Sequence, residues 1–283
     1  MNERQSKILY FIESKGSVQI KELQELVSDY TPMTLWRDLA KLEELGYIRR
    51  YRGGASAIRN QFTEQEQSFF YRLKKNVYEK EEISRIAVGL LNSYHALYLD
   101  GGSTTYSLAK RLPDGHFTII TSGANIAVEL SQRNGYNVNL LGGQVIGTTL
   151  ACSGPQAEDM LGSMNVDVAV LSTSGFSLEN GFASGYLSEA HLKKRVIEKA
   201  SSCVIMLMDK GKIGKVQPFT FGRPNDIDVL ITDEELPQNV MEEMGKHHVK
   251  VFFPKDGYEE QERRAWLEEF LSTQKRYSRS GTN

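Results

Sequence analysis

Apolar residues recur at helical spacing in three successive stretches near the start of the chain: Ile8, Leu9 and Ile12; Ile20, Leu23, Leu26 and Val27; Leu35, Leu39, Leu42 and Leu45. Each predicts a short amphipathic helix. The third is well punctuated, with Thr31 at the N-cap, Pro32 at the first helical position where its missing N–H costs nothing, and Gly46 at the stop. The run from Tyr47 to Arg52 then predicts a strand that turns at Gly53 and Gly54. Three helices followed by a basic hairpin predict a winged helix-turn-helix domain over residues 1–58. Polar residues dominate the next stretch, with Gln61, Thr63, Glu64, Gln65, Glu66 and Gln67 in near succession, and predict a linker over 59–80.

Helical spacing resumes at Ile83, Ile86, Ala87 and Leu90. Short apolar runs then alternate with helical segments: Ala96 to Leu99, Thr118 to Ile120, Val138 to Leu141, Val166 to Leu171, Cys203 to Met208, Val229 to Ile231 and Val249 to Phe253. Such alternation predicts an α/β domain over 81–253, a mostly parallel sheet covered by helices. A tail over 254–283 carries a charged helix from Glu259 to Thr273, with Trp266, Leu267, Phe270 and Leu271 gathered on one side, and is expected to pack on its own domain.

Composition narrows the class. Hydrophobic residues make up 40% and charged residues 25%, a globular balance, and the longest clean apolar run, Cys203 to Met208, is far short of the roughly 20 residues that span a bilayer. No apolar core follows Met1 to Lys7 as in a signal peptide, and two cysteines, Cys152 and Cys203, are too few for a disulfide framework. The expectation is a cytoplasmic chain with no membrane contact. His95, His116, His191, His247 and His248 show no metal-ligand spacing with the cysteines, and no Walker loop or nucleophile elbow is present, so neither cofactor nor metal is expected.

A net charge of −2 gives no overall basic signal, but Arg49, Arg50, Arg52 and Arg59 lie in a segment, 48–59, without Asp or Glu. In a helix-turn-helix the first residues of the recognition helix meet base edges while its apolar face holds the core. Leu35, Leu39 and Leu42 turn inward on this reading and leave Met33, Thr34, Trp36, Arg37 and Lys41 for the groove of a double-stranded operator. Arg37 suits the two acceptors of a guanine, Lys41 suits phosphate, and the wing residues Arg49, Arg50 and Arg52 grip the backbone. A small helical bundle that binds protein is the competing reading, since Asp38, Glu43 and Glu44 dilute the charge.

Several residues favour the first reading. Thr34-Leu35-Trp36-Arg37-Asp38-Leu39 and Arg50-Tyr51-Arg52-Gly53-Gly54-Ala55 resemble the recognition motif and wing of the DeoR family of bacterial transcriptional regulators, as do Glu3-Arg4 and Lys7-Ile8-Leu9 at the start. The resemblance continues through Arg72, Asn76, Glu79, Lys80 and Ile83 and reaches about residue 253. It departs at Trp36, where the family usually has arginine, and at Arg52, where it usually has histidine. It implies a sensor domain similar to ribose-5-phosphate isomerase that binds phosphorylated sugars or related metabolites, and a homo-oligomeric repressor of sugar-metabolism genes.

The loops of the α/β domain are compatible with that. Asp100-Gly101-Gly102-Ser103-Thr104-Thr105 follows a predicted strand and opens a helix, offering small residues, free N–H groups and hydroxyls to a phosphate. A tight strand-to-helix turn with hydroxyl caps fits the same residues. Thr121-Ser122-Gly123, Leu141-Gly142-Gly143, Thr173-Ser174-Gly175 and Asp209-Lys210-Gly211-Lys212 also end predicted strands and converge on one crevice if the sheet is parallel. Candidate effector residues are therefore Asp100, Gly102, Ser103, Thr104, Thr105, Thr121, Ser122, Gly143, Lys193 and Lys212. Lys193 stands four after Glu189, matching a Glu-x-x-x-Lys pair of the family; a surface ion pair is the plainer reading. Two other functions fit: a sugar-phosphate isomerase with an added domain, and a DNA-binding protein whose sensor fold only assembles subunits. The loop at Thr173-Ser174-Gly175 lacks the acidic residue common in relatives, which argues against catalysis.

Overall fold

The computed structural model describes residues 3–27, 30–44, 47–57, 67–91, 96–254, 265–266 and 269. The chain divides into two compact units, residues 1–64 and 65–283. Leu45, Gly46, Ile58 at the end of the expected first domain, the first part of the expected linker (59–66, with Arg59), His95 and most of the tail lie outside the described residues.

The first unit runs α1 (Glu3–Lys15), β1 (Ser17–Gln19), α2 (Ile20–Leu26), α3 (Pro32–Glu44), β2 (Ile48–Tyr51) and β3 (Gly54–Ala57). Ile8, Ile12, Leu23, Leu35, Leu39, Leu42 and Ile48 are all fully buried, so the three predicted apolar stripes meet in one core. The short β1 was not predicted; it completes a three-stranded antiparallel sheet in the order β1-β3-β2. Gly53 turns the wing at φ 100°, a region that costs a residue with a Cβ. The Tyr51 hydroxyl donates to the Val18 carbonyl at 3.0 Å, tying wing to core.

The second unit begins with α4 (Phe69–Lys74), α5 (Val77–Val88), β4 (Ala96–Leu99), α6 (Ser103–Arg111), β5 (Phe117–Thr121), α7 (Ala124–Ser131) and β6 (Tyr136–Leu140). A hairpin of β7 (Gln144–Ile146) and β8 (Ala151–Ser153) leads to α8 (Pro155–Gly162), β9 (Val166–Ser172), β10 (Gly175–Ser177), β11 (Gly181–Ser184), α9 (Leu187–Lys199) and β12 (Ala200–Leu207). β13 (Phe219–Gly222), β14 (Val229–Ile231), α10 (Gln238–Lys246) and β15 (Lys250–Phe252) follow. All seven predicted strand runs join one sheet of order β15-β14-β12-β9-β4-β5-β6, and every pairing in it is parallel.

Alternation along each strand feeds two cores, as a three-layer sheet requires. Leu97, Leu99, Val168 and Val170 pack with α5, α6 and α7, whereas Tyr98, Ala169, Leu171 and Met206 pack with α8, α9 and α10. Because both faces are covered, these strands read as continuous apolar runs in the sequence. Among the described residues no helix is long and apolar enough to cross a membrane.

The expected linker needs correction over its described part. Residues 69–74 form a helix capped by Ser68, whose hydroxyl accepts the Tyr71 amide at 3.4 Å, and Phe69 is buried with its ring edge-on to Tyr106 at 5.6 Å. The polar composition before residue 68 hid an ordered helix behind it. At the far end, the Trp266 ring lies edge-on to Phe252 at 5.5 Å, packing that part of the tail on its own unit.

Candidate functional site

Strand order decides where a ligand sits. From β4 the chain steps through β5 and β6 to one side, then returns to place β9, β12, β14 and β15 on the other. The switch point is therefore the crevice between the carboxyl ends of β4 and β9, where open parallel sheets bind ligands. Asp100 follows β4 and Ser172 ends β9. Asp100 Oδ2 accepts the Ser172 amide at 3.1 Å, the Ser172 hydroxyl at 2.8 Å and the Lys193 ammonium at 2.8 Å. Lys193 also donates to the Ser172 carbonyl at 2.6 Å. All three residues are buried. Gly102 presses against this set so closely that an added Cβ would lie 1.9 Å from the Ser172 hydroxyl oxygen.

The next residues open α6. Its N-cap, Gly102, supplies no side-chain bond, so the amides of the first turn keep their donor capacity and the positive end of the helix faces the crevice. The hydroxyls of Ser103 and Thr104 have no partner among the described residues. Thr105 differs: its hydroxyl lies 2.6 Å from the Asp100 carbonyl and 2.8 Å from that of Gly102, and it shapes the loop. Thr121 and Ser122 are likewise committed inward. The Thr121 hydroxyl donates to the Leu99 carbonyl at 2.6 Å, and Ser122 receives the Tyr98 phenol at 3.0 Å. Burial holds that phenol well above its ordinary pKa, with Asp100 adding to the effect, so it stays a donor.

Glu189 and Lys193 are not a surface ion pair. Both are buried in α9, where Lys193 meets Asp100, while Glu189 accepts the hydroxyls of Thr149 and of Ser184, the latter at 3.0 Å. Lys212 is half-buried in the loop after β12, beside Asp209, whose carboxylate accepts the Asn76 amide at 3.0 Å. Gly143 is exposed at φ 113° next to the Ser153 carbonyl. Ser172, Thr149 and Asp209 escaped the list of candidates: each sits one residue past an apolar run or inside a turn, with no spacing to mark it. A separate opening of about 540 Å³, lined by Lys210, Leu236, Pro237 and Met241, holds none of the Asp100 set.

In the first unit, α3 presents a narrower face than the sequence offers. Met33 is 66% exposed and Arg37 is exposed with no ion pair among the described residues. Thr34 faces Thr31 across a 3.1 Å hydroxyl contact. Trp36 is half-buried against the core. Lys41 pairs with Glu44 at 2.9 Å, and Asp38 is buried against Arg4 at 2.5 Å. In the wing, Arg50 pairs with Glu43 at 2.7 Å, and the Arg50 amide and guanidinium hold that carboxyl below its usual range. Arg49 and Arg52 are exposed. The wing arginines are therefore unequal, because Glu43 on α3 already occupies one of them.

Comparison with known proteins matches both parts of the chain to described domains. Residues 4–61 match the DeoR-like helix-turn-helix domain and residues 75–234 the DeoR C terminal sensor domain. The HTH-type transcriptional regulator YulB of Bacillus subtilis is 34% identical over 88% of this chain and 95% of its own length. The regulator GolR of Listeria innocua is 31% identical over 83% and 91%, and the HTH-type transcriptional repressor GlcR of B. subtilis 33% over 82% and 88%. Among solved structures, a D-ribose-5-phosphate isomerase in complex with phospho-erythronic acid is similar at 16% identity and a TM-score of 0.34, covering 47% of this chain and 52% of that one. With both domains matched in order and relatives of like length along most of the sequence, the chain belongs to the DeoR family of transcriptional regulators, a helix-turn-helix DNA-binding domain joined to an effector-sensing domain rather than an enzyme.

Proposed function

We propose that the protein is a homo-oligomeric repressor of sugar-metabolism genes whose hold on its operator is set by a phosphorylated sugar bound at the start of α6. The observation that carries this is the helix N-terminus at the switch point, which has no side-chain cap from Gly102, with the hydroxyls of Ser103 and Thr104 beside it unpartnered among the described residues. Backbone amides and hydroxyls at a positive helix end suit a phosphate. Asp100, fixed by Ser172 and Lys193, lines the floor with oriented polar groups that suit sugar hydroxyls. The relatives that carry the name repressor include GlcR of B. subtilis and AccR of Agrobacterium fabrum.

On the DNA side, Arg37 reads a guanine from the major groove, Met33 and Thr34 lie against neighbouring bases, and Arg49 and Arg52 hold phosphates. Two copies of the winged helix engage two half-sites. The test is an operator-binding titration with and without pentose and hexose phosphates; one of them is expected to change operator affinity, and its unphosphorylated sugar is not.

A further inference from the structure

We infer that residues 68–76, α4 and the turn into α5, form the coupling segment that carries the state of the effector site toward the DNA-binding unit, with Phe69 and Asn76 as its positioning residues. This rests on the effector-site reading above. At its start, the Phe69 amide donates to the Thr148 carbonyl at 2.7 Å, and the Phe69 ring packs edge-on to Tyr106 of α6, the helix whose first turn faces the crevice. Thr148 lies in the tip of the β7–β8 hairpin. The next residue, Thr149, donates to the buried Glu189; the Leu150 carbonyl accepts the Ala124 amide at 3.0 Å; and Ala151 bridges Gly123. One hairpin tip thus touches α4, α7 and the site helix α9.

At its end, Asn76 adopts a left-handed conformation at φ 51° and holds Asp209 Oδ1 at 3.0 Å. Asp209 precedes Lys210 and Lys212 on the loop after β12, the strand that neighbours β9, at the same carboxyl-end edge of the sheet as the crevice. Between the two anchors, the Lys80 ammonium donates to the carbonyls of Arg72 and Lys75, closing the C-terminal end of α4, while Ser68 caps its start. α4 is therefore a short rod capped at both ends, and the segment's outside attachments include two polar bonds, one to the β7–β8 hairpin tip that holds Glu189 and one to the loop after β12. Residue 67 continues through 58–66 into the DNA-binding unit. A ligand that shifts the hairpin tip or the Asp209 loop moves α4 as a body, and coupling between sites requires an element that both can bias.

The test uses the full chain, with inorganic phosphate and glucose 6-phosphate as probes. Hydrogen exchange over 67–76 is measured in the wild type and in Thr149→Val, which removes the hydroxyl on Glu189. Exchange about tenfold faster in the variant is expected, and unchanged exchange overturns the coupling. Asn76→Gly keeps the left-handed turn and removes only the bond to Asp209; Phe69→Leu keeps an apolar side chain and loses the ring contact. Both are expected to bind probes and operator as the wild type does, yet to lose the probe's effect on operator affinity, from about tenfold to under about twofold. A wild-type response in both variants overturns the inference. Failure of both probes to bind the wild type counts against the effector reading alone, since the exchange comparison needs no ligand.

Discussion

Separating Asp100 from Lys193 gives the sharpest energetic test of the switch-point site. Their side chains are 5% and 8% exposed and meet at 2.8 Å. Removing one partner of a buried ion pair typically costs about 3–5 kcal/mol, because the other charge stays behind without compensation. For Lys193→Met the expected cost lies at the low end, about 3 kcal/mol, since the Ser172 amide and hydroxyl still hold the Asp100 carboxylate. Asp100→Asn keeps an acceptor for those donors and is expected to cost about 2 kcal/mol. The double variant leaves no charge stranded, so its cost falls short of the sum by about 2 kcal/mol. Urea unfolding reads this cleanly in a Trp36→Phe background, because Trp36 belongs to the first unit and Trp266 then reports the second beside Phe252. Single losses below about 1 kcal/mol, as for an exposed pair, or strict additivity refute a buried, coupled pair.

Arg37→Ala should cost roughly 1–3 kcal/mol at the selected operator and relax base preference, read by binding to operators with single substitutions. Arg52→Ala should weaken all sequences and reduce the salt slope by about one, whereas Arg50→Ala should change it less, because Glu43 already neutralises that guanidinium; equal slopes contradict the pairing. Thr104→Glu places a carboxylate at the start of α6 and should abolish phosphate binding in calorimetry while leaving operator affinity intact. Burial, opposed by Asp209 and reinforced by Lys212 and Arg72, lowers the Lys80 pKa to about 8. The unfolded chain therefore binds the extra proton between about 8 and about 10.5, so Lys80 should make unfolding free energy rise with pH across that window; a flat profile there, corrected with Lys80→Met, contradicts it.

The fold was readable where one physical signal dominated. Leu35, Leu39 and Leu42 report a helix because only one face is buried, and Val166 to Leu171 reports a strand because both faces are. The β4–α6 loop was readable because glycines and hydroxyls cluster where a helix begins. Long-range partners were not. Nothing near Lys193 announces that it reaches Asp100 rather than Glu189, because strand order decides that. Thr121 looks like a ligand hydroxyl yet is spent on the Leu99 carbonyl, and Arg50 looks like its neighbours until Glu43 is placed beside it. Phe69 was lost in the linker because its burial depends on Tyr106, more than thirty residues away.

The most direct measurement is operator affinity of the full chain by fluorescence anisotropy, with the operator selected from random DNA, in the absence and presence of sugar phosphates. One sugar phosphate should shift the Kd by about tenfold or more, a coupling of about 1.4 kcal/mol, while its unphosphorylated sugar has no effect and Thr104→Glu abolishes the shift. An operator Kd that no sugar phosphate moves, or that the unphosphorylated sugar moves equally, contradicts a phosphate-reading site at the start of α6.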